Sequence, residues 1–284
     1  MGRVMETLQA YFSYSFVRYA FIAGVLIALC AGLLGVVLVL KRYSMIGDGL
    51  SHVAFGAMAV GAVCGLAPMV IALPVTVAAA ILLLLAGEKR LIKGDAAIAM
   101  LSAGALAIGY LLLSLFPAAD STGSLSGDVC ASLFGSSSMM TLSSADVWLC
   151  VGLSAAVLGF FAFFYRRVFA VTFDQPFAKA SGVKVNVYNF MLAAISGVVI
   201  VMAMKLVGAL LISALVIFPA LSAMRLFSRF RAVVICSAVV AVVGSLTGLL
   251  ISLLYSTPTG ATVVAVHILI FGVFSVIRLV RRRA

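Results

Sequence analysis

The sequence predicts an all-α, polytopic membrane protein with about eight or nine transmembrane helices, on three observations. Hydrophobic residues make up 65% of the 284 and charged residues only 10%, with a mean hydropathy of +1.31. A soluble domain carries about 25% charged residues, so this chain needs lipid around it. Several separate apolar runs each reach the roughly 20 residues that a helix needs to cross a bilayer. The Lys and Arg side chains fall in short clusters between those runs, as topology signals do. The short alternating segments of a β-barrel are absent, and no basic patch interleaved with aromatics suggests nucleic acid.

Taken in order, residues 1–15 mix apolar and aromatic side chains with Arg3 and Glu6 and read as an interfacial helix. No cleavable signal is expected, because Arg18 comes late and the apolar run after it is too long. The first span covers about 17–40 and stops at Lys41-Arg42. A second covers about 50–65, and Ala67-Pro68 turns the chain into a third, about 69–86. The charged loop from Glu88 to Asp95 leads to a fourth, about 96–116, ended by Pro117. Residues 117–146 hold no Lys or Arg, are rich in Ser and Gly, and carry Asp120, Asp128 and Asp146. These acids either attract cations or keep the loop in water.

A fifth span, about 147–164, ends at Arg166-Arg167, and a polar segment follows over 166–188. Residues 189–224 hold two spans or one broken unit, interrupted near Lys205, which reads as a snorkelling side chain. Spans over about 232–254 and 261–278 flank the turn 255–260, and Arg278, Arg281, Arg282 and Arg283 form the tail. The distribution of Lys and Arg puts 41–42, 88–95, 166–184, 225–231 and the tail in the cytoplasm, and 66–68, 117–146 and 255–260 outside. The five cysteines show no CxxC spacing, and most read as apolar packing residues; the odd count and the place of Cys150 in an apolar run weigh against a Cys130–Cys150 bridge.

The stretch over residues 41–61 carries the candidate chemistry. Asp48 and His52 stand four apart at the mouth of an apolar run, and such a pair shares one helix face. Carboxylate plus imidazole is half a site for a divalent transition metal. Ionisable groups in a membrane segment are functional candidates by default. The structural alternative makes Asp48 a helix N-cap and His52 a hydrogen-bonded packing residue. Around the pair, Gly47 and Ser51 are among several small residues that let a helix or an ion approach the backbone.

Several stretches resemble the permease subunits of bacterial ABC importers for zinc, manganese and iron. Ile46-Gly47-Asp48-Gly49-Leu50-Ser51-His52 is similar to the family's G-D-[ATG]-L-S-H signature. Phe173-Asp174-Gln175-Pro176-Phe177-Ala178-Lys179-Ala180-Ser181-Gly182 is similar to its F-D-x-x-x-A-x-x-x-G segment. Residues 205–220, with Gly208, Ser213 and Pro219, resemble its V-G-x-L-L-rich stretch ending in P-A. Leu133-Phe134-Gly135-Ser136 is similar to its L-F-G element. The resemblance reaches over nearly the whole chain, and the motifs occur in order.

The resemblance implies an ABC importer transmembrane-domain type, with 1–284 as a single permease domain in the bacterial inner (cytoplasmic) membrane. It implies a homodimer in which two Asp48–His52 pairs meet. Two copies of a separate ATPase subunit and an extracytoplasmic metal-binding lipoprotein or periplasmic protein are the expected partners. The metal is cargo, and no permanently bound cofactor is expected. Residues 166–188 become the coupling segment, in which Phe173, Asp174, Phe177, Ala178 and Gly182 are the ATPase-coupling residues. Phe177 and Ala178 would supply apolar contact to the ATPase, and Gly182 would end the helix as its left-handed cap.

Without the resemblance the same segment is an amphipathic loop helix capped by Asp174. Pro176 departs from the family pattern but suits a first turn, so the helix is expected to begin at about Asp174 or Gln175. Gly208, Ser213 and Pro219 fit either a bent span beside a pathway or ordinary helix packing. His267 belongs to none of the motifs and reads as a packing histidine or a further ligand. The chain has no GxxxxGK[ST] motif and no Gly-Lys dipeptide, so no ATP hydrolysis is expected from it.

An ion-coupled secondary metal transporter is the alternative. It would show inverted repeats and several buried acids, whereas no repeat is evident and Asp48 is the one acid expected inside or at the edge of a span. An intramembrane metalloenzyme using His52 and His267 lacks an HExxH motif.

Overall fold

The computed structural model describes residues 12–86, 94–116 and 143–283, and among them the chain forms ten α-helices and no strand. These are α1 (Ser15–Leu40), α2 (Ile46–Val63), α3 (Pro68–Ala86), α4 (Asp95–Leu115), α5 (Ser144–Phe173), α6 (Gln175–Ala180), α7 (Val185–Val207), α8 (Ala209–Leu226), α9 (Phe230–Tyr255) and α10 (Thr259–Arg283). Eight of the described helices are long and apolar enough to cross a membrane, and α8 adds the shorter apolar stretch Leu211–Leu226. The expected eight or nine spans are therefore present. Most of the expected interfacial helix, Glu88 to Lys93, Asp120, Asp128 and Leu133 to Ser136 lie outside the described residues.

Two boundaries differ from the sequence reading. The fifth span was expected to stop before Arg166-Arg167, yet α5 continues unbroken to Phe173, 30 residues in all. At 1.5 Å per residue it is about 45 Å long, well beyond a hydrocarbon core of about 30 Å. Charge marks where apolar solvent ends, not where backbone hydrogen bonding ends. Arg167 donates to the Tyr188 hydroxyl at 2.6 Å and lies over the Phe164 and Tyr188 rings, so the helical extension has its own packing. The second difference is the break in 189–224. Expected near Lys205, it falls three residues on, at Gly208, with φ 89° and ψ 159°. That backbone conformation is essentially restricted to glycine.

The chain divides into two compact units that share α1, α5 and α7. The first unit holds α1 up to Val36, α5 up to Gly159, α7 from Ala203, and α8 to α10. Here α9 is gripped from two sides through small residues. A Cβ on Gly32 of α1 would lie 2.7 Å from the Ala241 Cβ, and Ser237 donates to the Gly32 carbonyl at 2.7 Å. On α10, Val263 and His267 occupy the space that side chains at Gly248 and Gly244 would fill. Only 11% of the apolar window of α10 is buried, so its Leu269, Val273, Val276 and Leu279 face outward as lipid-facing residues do.

The second unit holds the remainder of α1, α5 and α7, together with α2, α3, α4 and α6. Its central element is α2, where twelve of eighteen residues, five of them glycine or serine, are buried. α2 packs against both α3 and α4. Glycines bring α2 and α4 together. A Cβ on Gly49 would overlap the Ile98 side chain, and one on Gly56 would lie 2.6 Å from the Ala105 carbonyl oxygen. From the other helix, Gly109 sits against the Phe55 ring and the Gly56 backbone. The Phe55 and Tyr110 rings stack beside this contact with centroids 5.4 Å apart.

Overpacking such a contact costs about 1–3 kcal/mol. Gly56→Ala should therefore lower the thermal unfolding midpoint of the detergent-purified protein by several degrees. Gly104→Ala on the same helix pair, where a Cβ meets nothing within 4 Å, should leave the midpoint unchanged or raise it slightly.

Candidate functional site

α2 begins beside an acid from another helix. Asp95, in the first turn of α4, accepts from the Met45 backbone N–H at 3.3 Å and from the Ser44 hydroxyl at 3.2 Å. Met45 is the N-cap, without a side-chain cap bond of its own. Asp48 is therefore not the cap that the structural alternative made it. It lies within the first turn, where the helix dipole favours a negative charge. Its carboxylate is 38% exposed and points along the helix to His52, whose side chain is 21% exposed, with Oδ1 3.8 Å from Nε2. An ion with bonds of about 2.1 Å and near-tetrahedral angles would draw those two atoms to about 3.4 Å, a shift within reach of side-chain rotation.

The other ring nitrogen is already engaged. Nδ1 of His52 shares a 2.6 Å hydrogen bond with the hydroxyl of Ser102 on α4, which is only 8% exposed. Ser102 was not singled out from the sequence. Its one legible signal is the buried stripe Ile98, Ser102 and Gly109 on α4, which reads as packing. Nearby Gly47 is buried, and Ser51, 0% exposed, donates to the Asp48 carbonyl at 2.7 Å. Ser51 therefore supports the helix turn that presents the carboxylate. Among the described residues no three His, Cys, Asp or Glu side chains gather as a metal site. One chain offers two ligands here.

The remaining candidates lie in the first unit. His267 is 1% exposed; its Nδ1–H donates to the Val263 carbonyl at 2.9 Å, and its ring rests on Gly244. Those contacts are the ones a packing histidine makes. Gly208 breaks the helix, the Ser213 hydroxyl donates to the Ala209 carbonyl at 3.4 Å, and Pro219 is enclosed within α8. Asp146 corrects two expectations. It lies in the first turn of α5, buried, with its carboxylate accepting from Lys205 at 2.7 Å and from the Ser143 hydroxyl and backbone. Asp48 is thus not the one acid at the edge of a span, and Lys205 is an ion-pair partner rather than a snorkelling side chain alone. Cys150, one turn further along α5, is a buried free thiol.

The segment that resembles a coupling helix folds as α6. Asp174 is its N-cap, accepting from the Phe177 N–H at 2.9 Å, and Pro176 sits in the first turn. The helix begins at Gln175, as expected. At its end Gly182 takes φ +79°, with its N–H donating to the Lys179 carbonyl and Val183 N–H to the Ala178 carbonyl. This 5→2 and 6→1 pair is a Schellman cap. Ala178 was expected to face a partner but is 1% exposed, packed with Val171, Val185 and Tyr188. It anchors α6 to its own chain. Phe173 and Phe177 are 57% and 65% exposed and supply the outward apolar surface instead. A cavity of about 350 Å³ adjoins α6, lined by Lys41, Arg42 and Tyr43 on one side and Thr172 to Pro176 on the other.

The sequence profile of the ABC 3 transport family matches residues 13–278. The manganese import system permease protein ScaB of Streptococcus gordonii is 28% identical over 268 residues, covering 94% of this chain and 93% of that protein. The manganese transport system membrane protein MntC of Listeria monocytogenes is 28% identical over 267 residues, covering 94% and 92%. Among solved structures, PsaBC from Streptococcus pneumoniae in complex with Fab matches with a TM-score of 0.79 and 27% identity over 95% of each chain.

The capping geometry makes α6 a separately testable element. Asp174→Ala should destabilise it by about 1 kcal/mol. Amide exchange over 175–183 should accelerate about fivefold while the thermal midpoint of the whole chain stays unchanged.

Proposed function

The chain belongs to the ABC 3 transport family, and from that premise we propose that it is the membrane permease of an importer for divalent transition-metal ions. Manganese is the first candidate cargo, because the named relatives carry that metal in their descriptions. Zinc and iron share its preference for nitrogen and oxygen donors. The observation that carries the proposal is the Asp48–His52 pair, with Nε2 3.8 Å from Oδ1 at the start of a helix in which twelve of eighteen residues are buried. Two ligands are too few for a closed site. In a homodimer, two pairs brought together across the two-fold axis would offer four nitrogen and oxygen donors. Incomplete coordination by each copy suits a cargo that must leave.

The energy would come from two ATPase subunits seated against α6, in the bacterial cytoplasmic membrane. Cargo would arrive through an extracytoplasmic lipoprotein or periplasmic binding protein. Exposed Phe173 and Phe177 offer apolar contact, with Lys179 and Lys184 beside them. Ala178 and the Schellman cap fix that surface to α5 and α7, so a push on α6 would move those helices as one body. Lys41 hydrogen-bonds Asn189 of α7 and lies only a few residues before α2, which supports a route from α6 to Asp48. The family match also favours ATP-driven import over the secondary-transporter alternative.

The test is uptake in a bacterial host stripped of its own metal importers, given this chain with its ATPase and binding protein, with total metals read by elemental mass spectrometry. The intact system should raise one transition metal, and Asp48→Ala or His52→Ala should abolish that rise at normal membrane levels of the protein. Full uptake in both variants would remove the ion from this site. Separately, Phe177→Ala should weaken co-purification of the ATPase about tenfold without shifting the permease's thermal midpoint.

A further inference from the structure

We infer that Ser102 is the positioning residue for the ion ligand, holding the His52 ring so that its Nε2 edge faces Asp48. The inference deepens the proposed transport reading and rests on it. A neutral imidazole carries one proton, and only the unprotonated nitrogen binds a metal. Nδ1 is 2.6 Å from the Ser102 hydroxyl, whereas Nε2 faces the carboxylate at 3.8 Å. With the proton on Nδ1 and donated to Ser102 Oγ, Nε2 is left free beside Asp48. Metal-ligating histidines are commonly oriented in this way through the other ring nitrogen.

The backbone geometry makes the contact an enforced one. Ser102 comes one turn after Ile98, which crowds Gly49, and about one turn before Ala105, which crowds Gly56. His52 lies between those two glycines on α2. The paired close approaches bracket the hydrogen bond and keep Ser102 within reach of the ring.

A serine also does what a carboxylate or a carbonyl in its place would not. Its hydroxyl both donates and accepts. Without cargo it can donate to Nδ1, leaving the Nε2 proton directed at Asp48; with cargo it accepts from Nδ1. As cargo takes Nε2, the Nε2 proton leaves to water, Nδ1 takes a proton from water, and the hydroxyl turns from donor to acceptor, so the charge of the ring is unchanged. A carboxylate would lock the proton on Nδ1 and strengthen the ligand, which favours holding the ion over releasing it.

The chain has only two histidines, His52 and His267, so imidazole ¹⁵N spectra of the detergent-purified permease are simple to assign, with His52→Ala as the reference. Zinc alone is the diamagnetic probe. In the unaltered protein, zinc should move the His52 signals to the form with Nδ1 protonated and Nε2 coordinated, leaving His267 unchanged. Ser102→Ala should bind zinc about 10–100-fold more weakly and show both ring tautomers without metal, and Ser102→Thr should restore affinity and spectrum.

Zinc bound through Nδ1 in the unaltered protein would overturn the inference without need of a variant. Unaltered affinity and tautomer in Ser102→Ala, with the His267 signals confirming the fold, would overturn it equally. No response of His52 to zinc or manganese in the unaltered protein would overturn the transport-site reading itself.

Discussion

Everything at the candidate site depends on how closely α2 and α4 approach. Two helices bearing ordinary side chains keep their axes 8–10 Å apart. Gly49, Gly56 and Gly109 remove the Cβ atoms that would hold these two apart, and Ile98, Ala105 and Phe55 fill the space. The close approach gives the His52 ring a fixed hydroxyl to bind. It also gives α2 an enclosed position in which a carboxylate and an imidazole are functional candidates rather than surface groups. In a bilayer, where apolar burial does not drive helices together, small residues and polar contacts between helices carry the association. Here the residues that pack α2 against α4 also set the surroundings of the candidate site.

Much of this was legible in the sequence because the membrane simplifies the code. A charged residue is expensive in hydrocarbon, so the spans and the acidic–basic pair at residues 48 and 52 stood out against an apolar background. Asp174, Pro176 and Gly182 were equally legible, since a cap acceptor, a first-turn proline and a terminal glycine each have one local job. What failed to show was partnership across helices. Nothing in the sequence pairs Ser102 with His52, Asp95 with Met45, or Lys205 with Asp146, because those contacts are set by which helices adjoin. Ala178 illustrates the converse: its place in a motif suggested an outward contact, while its neighbours Val171 and Val185 on the flanking helices turn it inward.

The second unit holds both the Asp48–His52 pair and α6. The turn from Lys41 to Met45 contains Arg42 at φ 62°, a left-handed conformation unusual for a side chain of that size. That turn borders the cavity beside α6 and leads directly into the first turn of α2. The Asp146–Lys205 pair, in the first unit, ties the start of α5 to α7 one turn before the Gly208 break, and so limits where α7 bends.

The proposed transport site has one ion shared by two copies of this chain through Asp48 and His52. The most direct measurement is manganese binding to the purified permease, with stoichiometry from titration and the bound ion's nitrogen neighbours read from its electron-spin-echo modulation. One ion for every two chains, with two imidazole nitrogens that both vanish in His52→Ala, is the predicted result. One ion per chain, or an ion whose nitrogen signals survive His52→Ala, would contradict the account.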